Sequence, residues 1–480
     1  MSDVSRRTFL KGIIAGAVIV GFDPLQRSWV TTASAATEAF PTFDGVLYTD
    51  ATSLSEAADD FGHIIHRQPT AVLKPGSVND IIKIVKFARR HGLKIAGRGQ
   101  GHSTYGQPQV EAGVVIDMNS LNTIHAITPT YADVDAGVIW STLTVATLAQ
   151  GLTPPTHTDY IELSVGGTLS VGGIGGTSSQ YGVQADNVLE VQVVTGEGRL
   201  EHCSPTHKRK LFNAVLAGLG QCGIIVRAKV KLIPAHTQAR TFLLYYTDLT
   251  IFTADQQILV DDERFNYVEG QAVPNGSGGW MFMLEAATFY SSPATPDNAA
   301  LLAGLSYNAG SEQISDSSYF DFLNRLAPTI AFLKAIGVWG FPHPWTDTFI
   351  PAHSVNSYIS SVLANLTLDD TGQGPVLLYA FKTANMQRPL FRLPDTEHAF
   401  LFSILRTAPP IQAVVDAMVA SNRALYEQNR DLGGTRYAIG AIPFSQADWE
   451  AHFGPVWKEF KKAKRAYDPD NVLTPGQGIF

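Results

Sequence analysis

From position 166 to 182 the chain carries seven glycines, at 166, 167, 172, 173, 175, 176 and 182. Their companions are small or hydroxylic: Ser164, Thr168, Ser170, Thr177, Ser178 and Ser179. Glycine reaches positive φ and lets other groups come close to the backbone. Successive N–H groups in such a segment make a concave site for an anion. A bulged, close-packed strand corner would use the same residues. The concentration of glycine, with no competing hydrophobic period, favours a diphosphate cradle.

Composition bounds the alternatives. Apolar residues make up 45% of the chain and charged residues 16%, which excludes disorder. A net charge of −8 argues against a nucleic-acid partner, because phosphate binding wants a basic face. Two cysteines, Cys203 and Cys222, exclude a disulfide scaffold and a cysteine-rich metal site, and no metal is expected. At 480 residues the expectation is two or three domains.

Residues 1–35 read as an export signal. Arg6-Arg7 is followed by Thr8-Phe9-Leu10-Lys11, an apolar run over 12–22, and the small-x-small triplet Ala33-Ser34-Ala35. The run is too short to span a bilayer, which takes about 20 residues. The arginine pair is similar to a twin-arginine signal. The expectation is bacterial export to the periplasm or beyond, with no stable membrane insertion, a mature chain starting near Ala36, and a tightly held cofactor.

The mature chain reads first as short strands and helices. A strand is expected at 69–75. A helix then starts after Ser77, with Ile81, Ile84, Val85 and Ala88 on one face and Gly92 as its stop. Further strands fit 93–96, 114–118 and 224–233, helices fit 140–150 and 211–216, and a hairpin turns at 196–198. These make a first domain over 36–235. After Pro234, aromatic-rich strands at 241–246, 280–284 and 376–381 alternate with looser stretches at 291–298 and 305–319. They mark a second, mainly sheet-built domain over 236–440. The segment 441–480 opens with one helix expected over 449–466.

A second glycine cluster, Gly97-Arg98-Gly99-Gln100-Gly101-His102-Ser103, follows the 93–96 strand and holds His102 on a close-approach loop. Gly218-Leu219-Gly220-Gln221-Cys222-Gly223 matches the dinucleotide fingerprint in letters only. That motif follows a strand and opens a helix, whereas here a helix precedes it and a strand follows. His63 and His66 lack metalloprotease spacing and read as structural. Two carboxylates stand out. Asp159 directly precedes the glycine-rich segment, where partial burial would suit it to general-base work. Glu269 lies among apolar residues of the second domain.

Together these motifs resemble the vanillyl-alcohol-oxidase-type (PCMH-type) FAD enzymes, specifically the cytokinin dehydrogenases. The resemblance is carried by Arg98 to Ser103 with Gly106-Gln107, and by Thr158-Asp159-Tyr160 through Ser170. Asp186 to Glu190, Gly218 to Gln221, and Leu473 through Phe480 add to it. It implies an α+β, two-domain FAD-linked oxidase fold. A PCMH-type FAD-binding domain, to which 441–480 returns, would sit beside a substrate domain whose mainly antiparallel sheet is covered by helices. It implies FAD bonded covalently to His102. Cofactor contacts fall on Gly99, Gln100, Gly101, Ser103, Gln107, Asp159, Ser164, Ser170, Ile174, Ile224, Thr474 and Gln477. The implied reaction oxidises an N6-substituted adenine. Asp159 accepts the amine proton, hydride passes to the flavin, and the imine hydrolyses to adenine and an aldehyde. Glu269 contacts the adenine, and oxygen or a quinone reoxidises the flavin. Oxidation of an alcohol, sugar or polyol on the same scaffold is the alternative reading. A flavin-carrying protein with little turnover is a third.

Overall fold

The computed structural model describes residues 41–480, with short stretches at 13–14, 17–18, 21–23, 28–30 and 38–39. The arginine pair and the Ala33-Ser34-Ala35 triplet of the expected export signal lie outside the described residues. Of the apolar run, Phe22 is buried, with its ring 5.3 Å from Phe87.

Strands β1 (Val46–Tyr48), β2 (Ala71–Lys74), β3 (Ile95–Arg98) and β4 (Val114–Asp117) form a sheet in the order β1-β2-β4-β3. β2 and β3 both run parallel to β4. Helix α1 (Val78–His91) makes the crossover from β2 to β3. It buries Ile81, Ile84, Val85 and Ala88 completely, as their spacing requires. Next come β5 (Ile124–Ile127), β6 (Tyr131–Asp135), β7 (Val188–Val194), β8 (Leu200–Cys203) and β9 (Ile224–Lys231), antiparallel in the order β5-β6-β9-β7-β8. The expected 224–233 strand stops at Lys231. Ile233–Pro234 then pairs separately with Leu152–Thr153. The glycine-rich segment is partly helical: α2 (Val165–Val171) runs through Gly166 and Gly167.

The second domain is an eight-stranded antiparallel sheet. Its strands are β10 (Gln238–Tyr246), β11 (Tyr267–Pro274), β12 (Trp280–Tyr290), β13 (Gln313–Ser318), β14 (Thr346–Pro351), β15 (Val376–Lys382), β16 (His398–Ile404) and β17 (Thr435–Arg436). Their order is β13-β10-β12-β11-β15-β16-β14-β17. β13 lies within 305–319, a stretch expected to be looser chain. It is a polar edge strand, so no alternation betrays it.

Side chains alternate across this sheet. Phe242, Val268, Leu284, Leu378, Phe400 and Ile350 pack beneath helices α3 (Leu249–Asp262) and α4 (Val355–Leu363). Tyr267, Ala287, Tyr379, Leu401 and Phe349, on the other face, join the core of the first domain. Glu269 and Glu285 share that second face by register, so the sheet presents them to the first domain.

The expected 449–466 helix is two helices, α5 (Gln446–Phe453) and α6 (Trp457–Tyr467). Gly454-Pro455 separates them, since proline removes an N–H donor and its ring clashes with the preceding turn. Beyond α6 the chain returns to the edge of the first sheet. Ile95 N–H donates to Val472 O at 2.8 Å, and Thr474 N–H donates to Ile95 O at 2.7 Å. The buried pair Lys464–Asp468, at 2.8 Å, holds this return, with Asp468 also accepting from the Val472 and Leu473 N–H groups. Among the described residues no helix is long and apolar enough to cross a membrane. Cys203 and Cys222 are both buried and unpaired.

Candidate active site

The two domains enclose a cavity of about 400 Å³, within the roughly 300–1,000 Å³ usual for ligand pockets. All fourteen site residues singled out in the sequence line it: Gly99, Gln100, Gly101, His102, Ser103, Gln107, Asp159, Ser164, Ser170, Ile174, Ile224, Glu269, Thr474 and Gln477.

The first-domain wall is mostly main chain. The 99–103 loop leaves β3 and is tied down from behind. Asn119 Nδ2 donates to Gly99 O at 3.0 Å, Phe61 N–H to Gly101 O at 2.8 Å and Gly62 N–H to Ser103 O at 3.1 Å. Gln100 Nε2 donates to Asn119 Oδ1 at 2.6 Å, and Gln107 Nε2 to Ile439 O at 3.2 Å. The N–H groups of Gln100, Gly101 and His102 find no acceptor among the described residues. A Cβ on Gly99 would overlap Ser164 Oγ, so that loop and the start of α2 meet at van der Waals contact. Gly220 has φ +72°, and a Cβ there would sit 2.8 Å from Thr474 Oγ1. Ser170 Oγ closes α2 by donating to Gly166 O at 2.7 Å, and Thr474 Oγ1 donates to Gly220 O at 3.2 Å. Ile174 and Ile224 supply apolar wall. Among the described residues Gln477 Oε1 is buried without a partner.

His102 sits in an aromatic nest. Its ring lies 4.1 Å from Phe61, 4.8 Å from Tyr160 and 5.6 Å from Trp345. Burial, then His343 and Lys334, pulls its pKa down to about 3, so the imidazole is neutral and keeps a lone pair. Asp60, missed in the sequence, is the buried anchor of this loop. It accepts from Gly106 N–H at 2.7 Å, Gly62 N–H at 3.0 Å and Ser103 Oγ at 3.3 Å. Burial outweighs those donors and Arg98, and pushes its pKa up to about 7.

The opposite wall is built from charged side chains, with Asp159 of the first domain meeting Tyr267, Glu269, Glu285 and Arg325 of the second. Asp159 Oδ1 accepts from Tyr267 Oη at 2.9 Å and from Arg325 Nη2 at 2.9 Å. Arg325 Nε also pairs with Glu285 Oε1 at 2.9 Å. Glu269 stands directly opposite Glu285 and shares a hydrogen bond with Asp159. Burial, then the neighbouring Asp159, pushes Glu269 far above the ordinary glutamate range. Burial also raises Glu285, against the pull of Arg325. Further round, Asp347 accepts from Ser403 Oγ at 2.8 Å. Burial lifts its pKa to about 7.

Sequence reasoning missed Tyr267, Glu285 and Arg325 as site residues. One signal could have found Glu285. The turn around Asn275–Gly279 places it as far after Ser277 as Glu269 lies before, so a hairpin pairs them. Arg325 lies between two short helices, in no recognisable pattern.

Residues 69–204 match a family model described as "FAD binding domain". Residues 271–480 match one described as "Cytokinin dehydrogenase 1, FAD and cytokinin binding". An "uncharacterized oxidoreductase ORF5 in fasciation locus" of Rhodococcoides fascians is 41% identical, covering 90% of this chain and 98% of that protein. Cytokinin dehydrogenase 9 of Oryza sativa subsp. japonica is 34% identical, covering 89% of each. Cytokinin dehydrogenase 2 of Arabidopsis thaliana is 34% identical, covering 90% of this chain and 93% of its own. A crystal structure of 6-hydroxy-D-nicotine oxidase from Arthrobacter nicotinovorans superposes with a TM-score of 0.70. It is 21% identical, with 91% of this chain and 98% of that one covered, and shares the fold.

Proposed function

The chain belongs to the PCMH-type FAD-linked oxidoreductases related to cytokinin dehydrogenases, and from that premise we propose that it oxidises the secondary amine of an N6-substituted adenine. The observation that carries this reading is one cavity with a main-chain cradle on one wall and an acceptor carboxylate, Asp159, on the other. The cradle suits FAD. Among the described residues it offers N–H groups at 100–102 without an acceptor and Gln477 Oε1 without a partner, with close approach at Gly99.

Bound FAD supplies the electron sink that takes hydride from the C–H beside the amine. Asp159 accepts the N–H proton, held in place by Tyr267 and Arg325. Glu269, protonated, can donate to a ring nitrogen or keep its proton shared with Asp159. Water then adds to the imine, releasing adenine and an aldehyde. His102, neutral and flanked by aromatic rings, is the proposed point of covalent attachment. The electron acceptor is proposed to be oxygen or a quinone, and residues 1–35 a twin-arginine export signal.

The test is anaerobic mixing of the holoprotein with isopentenyladenine beside a panel of polyols. Bleaching of the flavin band by isopentenyladenine is expected. Bleaching by polyols alone would move the reaction to C–OH oxidation, and bleaching by nothing would leave a flavin-carrying binder. Acid precipitation should leave the flavin on the protein. Its release into the supernatant would overturn attachment at His102.

A further inference from the structure

The charged wall gathers three carboxyl groups, Asp159 of the first domain and Glu269 and Glu285 of the second, around one guanidinium. Arg325 donates from Nη2 to Asp159 at 2.9 Å and to Tyr267 Oη, and its Nε meets Glu285 at 2.9 Å. Its Nη1 donates to Phe322 O at 3.3 Å. The guanidinium also lies over the Tyr267 and Phe322 rings, at 4.9 and 4.8 Å. A planar fork bonded at each nitrogen and flanked by two aromatic rings has one orientation, which a lysine cannot reproduce. Glu269, in contrast, has its Oε1 buried without a partner among the described residues. Like charges directly opposite on paired strands repel, so Glu269 and Glu285 cannot comfortably both be ionised beside Asp159. The groups facing Asp159 are Tyr267 and Glu269 from β11, Glu285 from β12, Tyr379 from β15, and Arg325. Arg325 is the cation among them.

We propose that Arg325 is the positioning residue of the proton-accepting site: it holds Asp159 through one nitrogen and Glu285 through another, so that the proton stored among the three acids rests on Glu269. The inference rests on Asp159 being the proton acceptor argued above. A carboxylate held by a cation is a weaker base. In exchange, the acceptor is already empty when the substrate amine arrives.

The first readout needs no turnover. In substrate-free holoprotein at neutral pH, infrared spectroscopy reports protonated carboxyl groups. The wild-type band from this wall is expected to vanish in Glu269→Gln. Arg325→Met is expected to gain a second protonated carboxyl, absent from the Arg325→Met/Asp159→Asn double variant. No second carboxyl in Arg325→Met would overturn the proposal. The second readout is flavin reduction by isopentenyladenine against pH. The acid limb is expected to move up by about 1–3 pH units in Arg325→Met, the range for losing an opposite charge within about 4–6 Å. Arg325→Lys should bring the limb most of the way back. A uniform loss of rate with the limb unmoved would mark Arg325 as merely structural and overturn the proposal. If Arg325→Met does not fold, Glu285→Gln carries the test with the opposite sign: losing an acid lowers the limb, and an unmoved limb overturns the clamp. Failure of the underlying reading looks different. Asp159→Asn would then reduce its flavin at the wild-type rate, whatever the infrared bands show.

Discussion

On one side of the cavity the protein meets its ligand with backbone, through the 99–103 loop, the start of α2 and the Gly220 turn. On the other side it meets its ligand with ionisable side chains: Asp159, Glu269, Glu285 and Arg325. The two walls also titrate in opposite directions. Burial pulls the pKa of His102 in the cradle loop down to about 3, and on the charged wall it pushes Glu269 well above the ordinary glutamate range. A wall of amides is a fixed field that binds and does not change charge. A wall of coupled acids can pass a proton. Holding the cofactor and doing the chemistry are therefore physically separable, and variants on each side test that.

The largest expected effect is on the charged wall. Asp159→Asn should slow flavin reduction about 10²–10⁴-fold, the range for a lost general base, while bound flavin stays at the wild-type ratio. Anaerobic stopped-flow absorbance measures both. Flavin lost along with the rate would break the comparison.

The opposite titrations come next. A histidine whose folded pKa lies below its ordinary 6.5 stabilises the fold fully above that pH and progressively less as pH falls towards 4. A glutamate whose folded pKa is raised stabilises the fold fully below its ordinary 4.5 and less as pH rises. Each contributes a slope of at most about 1.4 kcal/mol per pH unit. His343→Asn should flatten the acid side of the stability profile and Glu269→Gln the alkaline side, as read from denaturant midpoints across pH.

On the main-chain wall, Gly220→Ala places a side chain at positive φ, at about 1–2 kcal/mol, and crowds Thr474. Flavin per protein should fall by about tenfold, while the reduction rate per bound flavin holds. A parallel fall in that rate would mean that the main-chain wall shares in the chemistry.

The smallest effect sharpens the picture. Tyr267→Phe removes one hydrogen bond to Asp159, worth about 0.5–1.5 kcal/mol. Reduction should slow by less than about tenfold with flavin content unchanged, measured in the same stopped-flow experiment.

The difference between the walls also explains what could be read beforehand. α1 declared itself through the spacing of Ile81, Ile84, Val85 and Ala88, and the cradle through glycine density, because both are local properties of the chain. Glu285 and Arg325 could not be read that way. Their position depends on the register of β11 with β12 and on a loop that no period marks. Asp60 was hidden for a related reason. Its carboxyl anchors a loop more than forty residues away, and the run Asp59-Asp60-Phe61-Gly62 carries no sign of that. The break at Gly454-Pro455 is a local signal, and the single helix expected over 449–466 runs across it.

The strand-edge pairing of Ile95 with Val472 and Thr474 has an implication for biosynthesis. A ribosome delivers the cradle's first loop early and its closing segment only after the whole eight-stranded sheet has emerged. Until then the cavity lacks a side, and a dinucleotide has nothing to grip at Gly220. Loading of the prosthetic group thus becomes a checkpoint on finished assembly: a chain truncated or stalled before residue 474 would stay colourless, and pigmentation would report that both domains had docked.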